Sequence, residues 1–367
     1  MSKPTLTKEI AYTALQSFFN QKPFVLFATG TSCSIDLNYG MPALERHLKA
    51  TIPSVTLNTS QEKEWRSVLN QLSLNQEFET AMNSIKDENL LGIVINATAE
   101  FLTNLDQKHV FNILQGLQSW SAIAILSRLV KTLPETDKIL HVATPNYDLL
   151  AEYAFTQAKI PYSTGFWGGV IRKLDWQQAE RQMTYVEKVP SGRTKINKVT
   201  RIKKHIRLYK VHGSLNIFQF NSQVIETDDW KKIPSNAQRL MITPGTAKHE
   251  KLHDYRDILL KEYDDAISKH SAFLFLGFGF NDTQLVNNAI SIKLKNQNSS
   301  GLIITRDSNS RIETLLKQSK NTWLICKNID EDNNSTRIFN SRYNDWLNLP
   351  DKELWQFDKF STEIMGS

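Results

Sequence analysis

Residues 24–32 read FVLFATGTS, and this stretch indicates the fold class. Its first four residues are bulky and apolar, which is typical of a short strand that is buried on both faces. Small and polar residues follow at once, and Gly30 lies among them. A glycine after a buried strand lets the backbone come close to a phosphate, which amide groups of the following turn can bind. The stretch therefore predicts a buried strand that ends at a ligand site.

Similar apolar runs recur along the chain, and long amphipathic stretches separate them. Runs that are apolar on both faces and far apart in sequence are typical of parallel strands rather than of hairpin partners. They predict an α/β fold, a Rossmann-like doubly wound parallel sheet, with its ligand site beyond the carboxyl ends of the strands. The predicted strands are residues 24–28, 139–143, 208–212, 272–277, 302–305 and 322–326.

The composition excludes several classes of protein. A chain of 367 residues that is 40% apolar and 22% charged fits one large α/β domain and is not a disordered protein. Its apolar runs are shorter than the roughly 20 residues that span a bilayer. The first twenty residues read as an amphipathic helix and lack the apolar core of a secretory signal. We therefore expect a cytoplasmic protein with no membrane partner.

The cysteines and histidines give no support for a metal site. Cys33 and Cys326 are the two cysteines, so this chain alone cannot build a disulfide framework or a four-cysteine zinc site. His249 and His253 have the i, i+4 spacing of helical metal ligands, but the Glu after the first His and a third ligand are missing. We expect these two histidines to be solvated surface residues.

Two insertions are predicted within a single domain that covers residues 1–367. Residues 45–133 have repeated helical spacing and few glycines or prolines, so they predict a helical insertion. It would form either a lid over the cleft or a structural or oligomerising layer. Residues 165–210 carry twelve Lys or Arg against three acidic residues, although the whole chain is only +6. This basic insertion reads either as a solvated hairpin or as a surface for an anionic partner or cofactor, with Trp167, Trp176, Tyr185 and Tyr209 interleaved.

Four short segments occur after predicted strands and in an order that resembles the sirtuin family. The resemblance is greatest to its bacterial branch of standalone NAD-hydrolysing domains used in antiviral defence. Ala28 and Thr29 replace the usual Gly-Ala, and Phe280 and Asn281 alter the late glycine loop. The four segments are Thr29-Gly30-Thr31-Ser32 with Gly40 and Pro42, Thr144-Pro145-Asn146-Tyr147-Asp148, Val211-His212-Gly213-Ser214, and Gly277-Phe278-Gly279-Phe280-Asn281-Asp282.

The resemblance implies a role for each matching residue. Asp148 would contact the nicotinamide carboxamide, Asn146 would bind the ribose hydroxyls or the attacking water, and His212 would accept a proton. On spacing alone, Asn-x-Asp also fits a turn that caps a helix, and His-Gly also fits a plain turn. Thr305 either reaches the adenosine side or simply ends a strand. The implied NAD-binding residues are Thr29, Gly30, Ser32, Gly213, Gly277, Gly279, Asp282 and Thr305.

The same resemblance implies an activity and its partners. The expected reaction is hydrolysis of NAD to ADP-ribose and nicotinamide, with NAD as substrate and no metal. Protein-deacylating sirtuins have a zinc module with two Cys-x-x-Cys pairs, which two cysteines cannot provide, so water is the expected acceptor. The chain would be the effector subunit of a bacterial abortive-infection system and a homo-oligomer. A separate sensor subunit would control it, either a helicase-like ATPase, an Argonaute or a nucleotide-sensing protein.

Two other functions stay open from the residues. The altered Ala28-Thr29-Gly30 loop favours a catalytically silent scaffold subunit of a defence complex that binds NAD or another nucleotide. The basic insertion favours a nucleic-acid-binding protein. We expect nucleic acid to be contacted only indirectly, because the basic segment is predicted to face a protein surface or the NAD phosphates.

Overall fold

The computed structural model describes residues 3–191, 196–228, 233–242, 253–281, 289–296, 298–329 and 335–366. Its strands in chain order are β1 Phe24–Phe27, β2 Ile139–Thr144, β3 Tyr162–Ser163, β4 Phe166–Gly168, β5 Arg172–Leu174, β6 Thr184–Pro190, β7 Ile196–Ile202, β8 His205–Lys210, β9 Gly213–Phe220, β10 Gln223–Glu226, β11 Ala237–Met241, β12 Ala272–Leu276, β13 Ser300–Ile304, β14 Thr322–Lys327, β15 Thr336–Asn340 and β16 Leu347–Leu349.

The helices lie between these strands and at both ends of the chain. They are α1 Lys8–Phe18, α2 Thr29–Cys33, α3 Met41–Thr51, α4 Thr59–Ser73, α5 Phe78–Ala81, α6 Glu88–Leu114, α7 Ile123–Thr132, α8 Leu150–Gln157, α9 Trp176–Gln182, α10 His253–Lys269, α11 Ile290–Lys295, α12 Ser310–Gln318 and α13 Phe357–Ile364. The amphipathic helix expected in the first twenty residues is α1, which buries Ala11, Leu15 and Phe18.

The central sheet of the described residues has the order β16-β15-β14-β13-β12-β1-β2-β8-β3. All six predicted strands are adjacent in it and pair in parallel, which confirms the predicted fold class. The chain runs outward from β1 through β2 to β8, then returns to β12 beside β1 and runs outward in the other direction. The order of the strands therefore reverses between β1 and β12, and doubly wound sheets bind ligands at such a point.

The edges of this sheet differ from the prediction. Two antiparallel strands, β15 and β16, extend it beyond β14, and the short parallel strand β3 lies beyond β8. In β15 buried and half-buried residues alternate, from Thr336 to Asn340. This period-two pattern belongs to a strand with one face toward the core, so a search for continuous apolar runs does not find it.

Helices cover both faces of the central sheet. Val25 and Phe27 of β1 point into a core that α1, α6, α7, α8 and α13 complete. Phe24 and Leu26 alternate with them and point into a second core, which α10, α11 and α12 complete on the other face. The sheet is thus buried on both sides, which explains why its strands are apolar at nearly every position.

The segment 45–133 is helical where the sequence predicts a helical insertion. It contains most of α3 and all of α4 to α7, and α3 to α6 share a hydrophobic core of their own around Trp65, Val68 and Leu90. Helix α6 also packs against the main core through Leu102 and Leu105. The insertion is therefore a helical layer that is continuous with the sheet domain through α6.

The basic segment 165–210 has three different environments. Residues 205–210 form β8 inside the central sheet, so the predicted insertion extends into the core at its end. Strands β4 and β5 join β9, β10 and β11 in a second, antiparallel sheet, and β6 and β7 form a separate two-stranded ribbon. Trp176 and Tyr209 pack together at 5.3 Å between ring centroids, with Tyr209 buried and Trp176 half-buried, so both rings contribute to packing within the fold.

No helix in the described part of the chain is long and apolar enough to cross a membrane. The predicted surface residue His249 and the side chain of His253 lie outside the described residues.

Candidate active site

A cavity of about 370 Å³ lies at the carboxyl edge of the central sheet, beside the point where the strand order reverses. Its wall comes from the segments that follow β1, β2, β8, β12 and β13. Most of the residues predicted to bind or cleave NAD therefore meet at one place. Those that line the cavity are Thr29, Gly30, Asn146, Asp148, His212, Gly277, Gly279 and Thr305.

Ser32 joins the two predicted catalytic residues of the loop after β2. The Asn146 amide Nδ2 donates to Ser32 Oγ at 2.9 Å, and Ser32 Oγ donates to Asp148 Oδ2 at 2.8 Å. All three residues are buried. Ser32 does not line the cavity, and in this position it orients Asn146 and Asp148 from behind the cavity wall.

The orientation of Asn146 leaves one polar atom unused. Its backbone NH donates to Thr144 Oγ1 at 3.0 Å, and its Nδ2 bonds to Ser32. The other side-chain atom, Oδ1, is buried and has no hydrogen-bond partner among the described residues. An unsatisfied buried acceptor costs free energy, and functional sites are where such atoms are retained. Asn146 Oδ1 can accept a hydrogen bond from a ligand hydroxyl or from water in the cavity.

Buried charges hold the backbone of the same loop. Lys210 Nζ on β8 donates to the backbone oxygen of Asp148 at 2.6 Å and pairs with Glu152 at 3.0 Å. Burial raises the pKa of the side-chain carboxyls of Asp148 and Glu152, and the nearby Lys210 ammonium opposes that rise. The lysine thus compensates buried negative charge and also fixes the loop, because its three donors can serve several acceptors.

His212 reaches the cavity from the turn after β8. Its backbone oxygen accepts from Ile242 NH at 2.9 Å, and its side chain is 9% exposed. Gly213 follows with φ of +77°, and a Cβ there would lie 2.0 Å from the Leu240 carbonyl oxygen. Gly213 lies outside the cavity wall. Its close backbone approach allows the chain to turn at His212, and its predicted role in NAD binding stays a prediction.

Gly30 and Gly277 touch each other at the point of strand-order reversal. The Gly30 NH donates to the Gly277 carbonyl at 3.1 Å, and a Cβ on Gly30 would lie 2.6 Å from Gly277 Cα. The NH of Thr31 donates to Ala28 O at 2.8 Å. The amides that the sequence predicts as phosphate ligands at Gly30 and Thr31 are thus bonded within the protein, and the phosphate contact stays a prediction.

The unusual residues of the late glycine loop have a packing role. Phe280 has φ of +58°, which is rare for a bulky residue, and its ring packs 4.8 Å from that of Phe275 and 5.1 Å from that of Phe278. These three aromatic rings pack against one another beneath the loop that carries Gly279. Asn309 Nδ2 donates to the Gly279 carbonyl at 2.9 Å and fixes the loop from the other side. Asp282, predicted in this loop, lies outside the described residues.

A second cavity, of about 680 Å³, shares part of its wall with the first. The shared residues are Gly30, Cys33, Gly277 and Thr305, and Arg306 and Trp355 lie on its far side. The two glycines therefore stand between two neighbouring spaces. Thr305 ends β13 at this junction, which is where the sequence places it.

Tyr39 and Asp106 are among the residues of the site that were not predicted from the sequence. Tyr39 lines the cavity, and its hydroxyl donates to Asp106 Oδ1 at 2.7 Å. Asp106 Oδ2 accepts from Leu149 NH at 2.9 Å. Burial and the Asp148 carboxylate raise the pKa of Asp106 to about 7. The available signal was an acidic residue on the buried face of α6, next to Leu102 and Leu105, because unpaired acids are rarely buried.

The described residues contain no group of three or more His, Cys, Asp or Glu side chains that could hold a metal ion. Cys33 is half-buried and Cys326 is buried, and both are free thiols.

The fold and this site define a Rossmann-like α/β protein with a cavity, lined by both apolar and polar residues, where its strand order reverses. A family model described as a SIR2-like domain matches residues 140–325, which is just over half of the chain. The chain belongs to the SIR2-like family, and the resemblance to sirtuins is confirmed at this level. Membership of this family points to an enzyme that uses NAD.

Other comparisons add less. One solved structure, described as "Structural Basis for the Mechanism and Regulation of Sir2 Enzymes", is similar with a TM-score of 0.37 and 11% sequence identity. The similarity covers 85% of this chain and 89% of that one. A comparison with curated proteins found none that matches.

Proposed function

We propose that this protein hydrolyses NAD to ADP-ribose and nicotinamide. The observation that carries the proposal is the buried series Asn146–Ser32–Asp148, which leaves Asn146 Oδ1 free to accept a hydrogen bond at a cavity that His212 also lines. An amide acceptor, a carboxyl group and an imidazole are the groups that this reaction needs. Membership of the SIR2-like family supports NAD as the substrate.

The reaction breaks the bond between ribose C1′ and the nicotinamide ring nitrogen. Nicotinamide leaves with the electron pair of that bond and becomes neutral, while positive charge develops on the ribose. Water then forms the new C1′–O bond and loses a proton, which His212 is placed to accept. Asn146 Oδ1 would orient the water or a ribose hydroxyl, and Asp148 would accept from the nicotinamide carboxamide.

The electrostatics beside the cavity suit this reaction. Asp106, Asp148 and Glu152 are buried around Lys210, so carboxyl groups outnumber the cation. A pyridinium ring in the cavity would favour the ionised form of these carboxyls, because an opposite charge lowers the pKa of an acid. In their ionised form these carboxyls would also stabilise the positive charge that develops on the ribose.

The two neighbouring cavities support a dinucleotide as the ligand. The smaller one holds the predicted catalytic residues, so nicotinamide and its ribose would lie there. The larger one would take the adenosine half past Thr305, with the diphosphate lying over the touching backbones of Gly30 and Gly277, which line both cavities. Water is the proposed acceptor, since two cysteines cannot form the zinc module of protein-deacylating sirtuins.

A second candidate function is a scaffold that binds NAD or another nucleotide without cleaving it. It is favoured by the bonded amides of Gly30 and Thr31, which leave fewer donors for a diphosphate. Chromatography of NAD incubated with the protein separates the two candidates. Release of nicotinamide and ADP-ribose supports hydrolysis, whereas binding with unchanged NAD, both with and without the product of the neighbouring gene, supports the scaffold.

We further propose the effector role in bacterial antiviral defence that the sirtuin resemblance implies. Free NAD hydrolysis would be toxic to the host, so a separate sensor subunit would control it by shifting the population toward an active state. The incubation with and without the neighbouring gene product tests this as well. Full activity of the chain alone, with no response to a partner, would contradict the proposal that a sensor subunit controls the activity.

Self-association through the end of α6 is expected to accompany this function. Phe111 and Leu117 are 64% and 75% exposed at that end of the helical layer, and exposed apolar side chains of this size are typical of contacts between protein chains. Light scattering should therefore give a mass above 42.1 kDa, and Phe111→Glu with Leu117→Glu should reduce it to that of the monomer. Ile292→Glu, at an equally exposed residue on α11, is the control and should leave the mass unchanged. A monomeric wild-type chain would refute the expectation.

A further inference from the structure

Asp106 is a buried acid that makes no contact with NAD or with the attacking water in the proposed reaction. It lies on α6 in the helical layer and is 3% exposed. Its two oxygens have different partners, the Tyr39 hydroxyl at 2.7 Å and the Leu149 NH at 2.9 Å. Tyr39 follows β1 and Leu149 follows β2, so one carboxyl group bonds to two of the segments that form the cavity wall.

We infer that Asp106 is a positioning residue that holds the Asn146–Asp148 loop and Tyr39 in the geometry required for NAD cleavage, an inference that rests on the proposed function. The Leu149 NH comes directly after Asp148, so its bond to Asp106 fixes the backbone beside that side chain. Tyr39 lines the cavity, so its bond to Asp106 also fixes that part of the wall. The helical layer thereby contributes to the site although Asp106 itself does not line the cavity.

The chemistry of the carboxyl group makes this role depend on pH. An ionised carboxylate accepts from both partners at once, whereas the protonated acid has one hydroxyl donor and one remaining carbonyl acceptor. Protonation therefore weakens the link between the two segments. Because the pKa of Asp106 is raised to about 7, this change falls within the neutral range. The charged or titratable groups that interact with it are Tyr39, Asp148, Tyr153 and Lys210.

Two substitutions separate the hydrogen bonds from the charge. Asp106→Asn keeps one carbonyl acceptor and gains an NH₂ donor, so it resembles the protonated acid at every pH. Asp106→Ala removes both contacts. Glu100→Gln, which removes an exposed acid from the same helix, is the matched control and should leave the rate unchanged.

NAD hydrolysis by these proteins is measured between pH 5.5 and 8.5, with melting temperatures to confirm folding. The Ala variant should lose roughly 10- to 100-fold in rate above pH 7, the factor expected for lost hydrogen bonds to a charged group. The Asn variant should be roughly tenfold slower than wild type at pH 8.5, and the ratio of the two rates should approach one at pH 5.5. Since other groups titrate in both proteins, their contribution largely cancels in this ratio.

The inference is overturned by a wild-type rate in the Ala variant or by a ratio of wild type to Asn variant that does not change with pH. If wild type binds NAD without cleaving it, the same ratios are taken from NAD dissociation constants, so hydrolysis fails while the positioning role is still tested. A wild-type chain that neither binds nor cleaves NAD overturns both proposals.

Discussion

Replacement of Asn146 by Ala is expected to lower the rate of NAD hydrolysis by about 10²- to 10⁴-fold, the range for a positioned charge-stabilising or acid–base group. The reason is that Asn146 Oδ1 is a buried acceptor at the cavity with no hydrogen-bond partner among the described residues, and its amide is held by Ser32. The measurement is single-turnover release of nicotinamide under conditions in which wild type is active. Asn104→Ala, at an exposed residue of α6, is the control and should retain the wild-type rate.

The other members of the site should follow a graded pattern. His212→Ala should fall in the same range, since it removes the proposed proton acceptor. Ser32→Ala should cost less, roughly tenfold, because it removes the link to Asp148 while both side chains remain. Wild-type turnover in both the Asn146 and His212 variants would show that the reaction centre is elsewhere.

The sequence predicts the central sheet well because most of its strands are marked by their own short runs of apolar residues. Each parallel strand is buried on both faces, so a few consecutive apolar residues such as Val25, Leu26 and Phe27 suffice to recognise it. The place where polar loops follow these strands then indicates the cavity. Among the described strands of this sheet, β3, β15 and β16 do not give this signal: β3 and β16 are very short, and burial alternates along β15.

The links inside the site cannot be predicted in this way. Ser32 and Asp148 are separated by 116 residues, and Tyr39 and Asp106 by 67. No local pattern determines which of many polar residues will face each other across such distances. For the same reason the sequence predicts Ser32 only as a ligand contact. The structure shows in addition that Ser32 bonds to Asn146 and Asp148, which both line the cavity.

The basic segment shows a second limit of sequence patterns. Aromatic residues between basic ones are typical of nucleic-acid surfaces, but also of a core strand whose edges carry long cations. In the structure the Arg207 guanidinium stacks 4.4 Å from the centre of the Trp176 ring and pairs with Glu180 and Glu262. The charge of Arg207 is thus used within the fold. The exposed cations Lys188 and Lys198 are opposite each other on the β6–β7 ribbon, and they remain available to an anionic partner.

The contact between Gly30 and Gly277 is expected to be the most sensitive backbone position of the site. Gly277 has φ of +58°, and a Cβ there would lie 2.7 Å from the carbonyl carbon of Gly30 and from the amide nitrogen of Thr31. These neighbours are backbone atoms of the central strand-end loop, so they cannot rotate away as a side chain would. Any residue other than glycine must therefore push β1 and β12 apart at their carboxyl ends.

Gly277→Ala should lower the free energy of unfolding by about 2 to 5 kcal/mol, from the left-handed backbone and the overpacking together. Denaturant unfolding measures this change. Gly92→Ala is the matched control, because a Cβ at this mid-helix position meets no neighbouring atom within 4 Å outside its own helix. It should stabilise the protein by about 0.5 to 1 kcal/mol through helix propensity. Equal stability of the two variants would mean that the Gly30–Gly277 approach is not as close as the structure has it, and the proposed passage for the diphosphate would lose its basis.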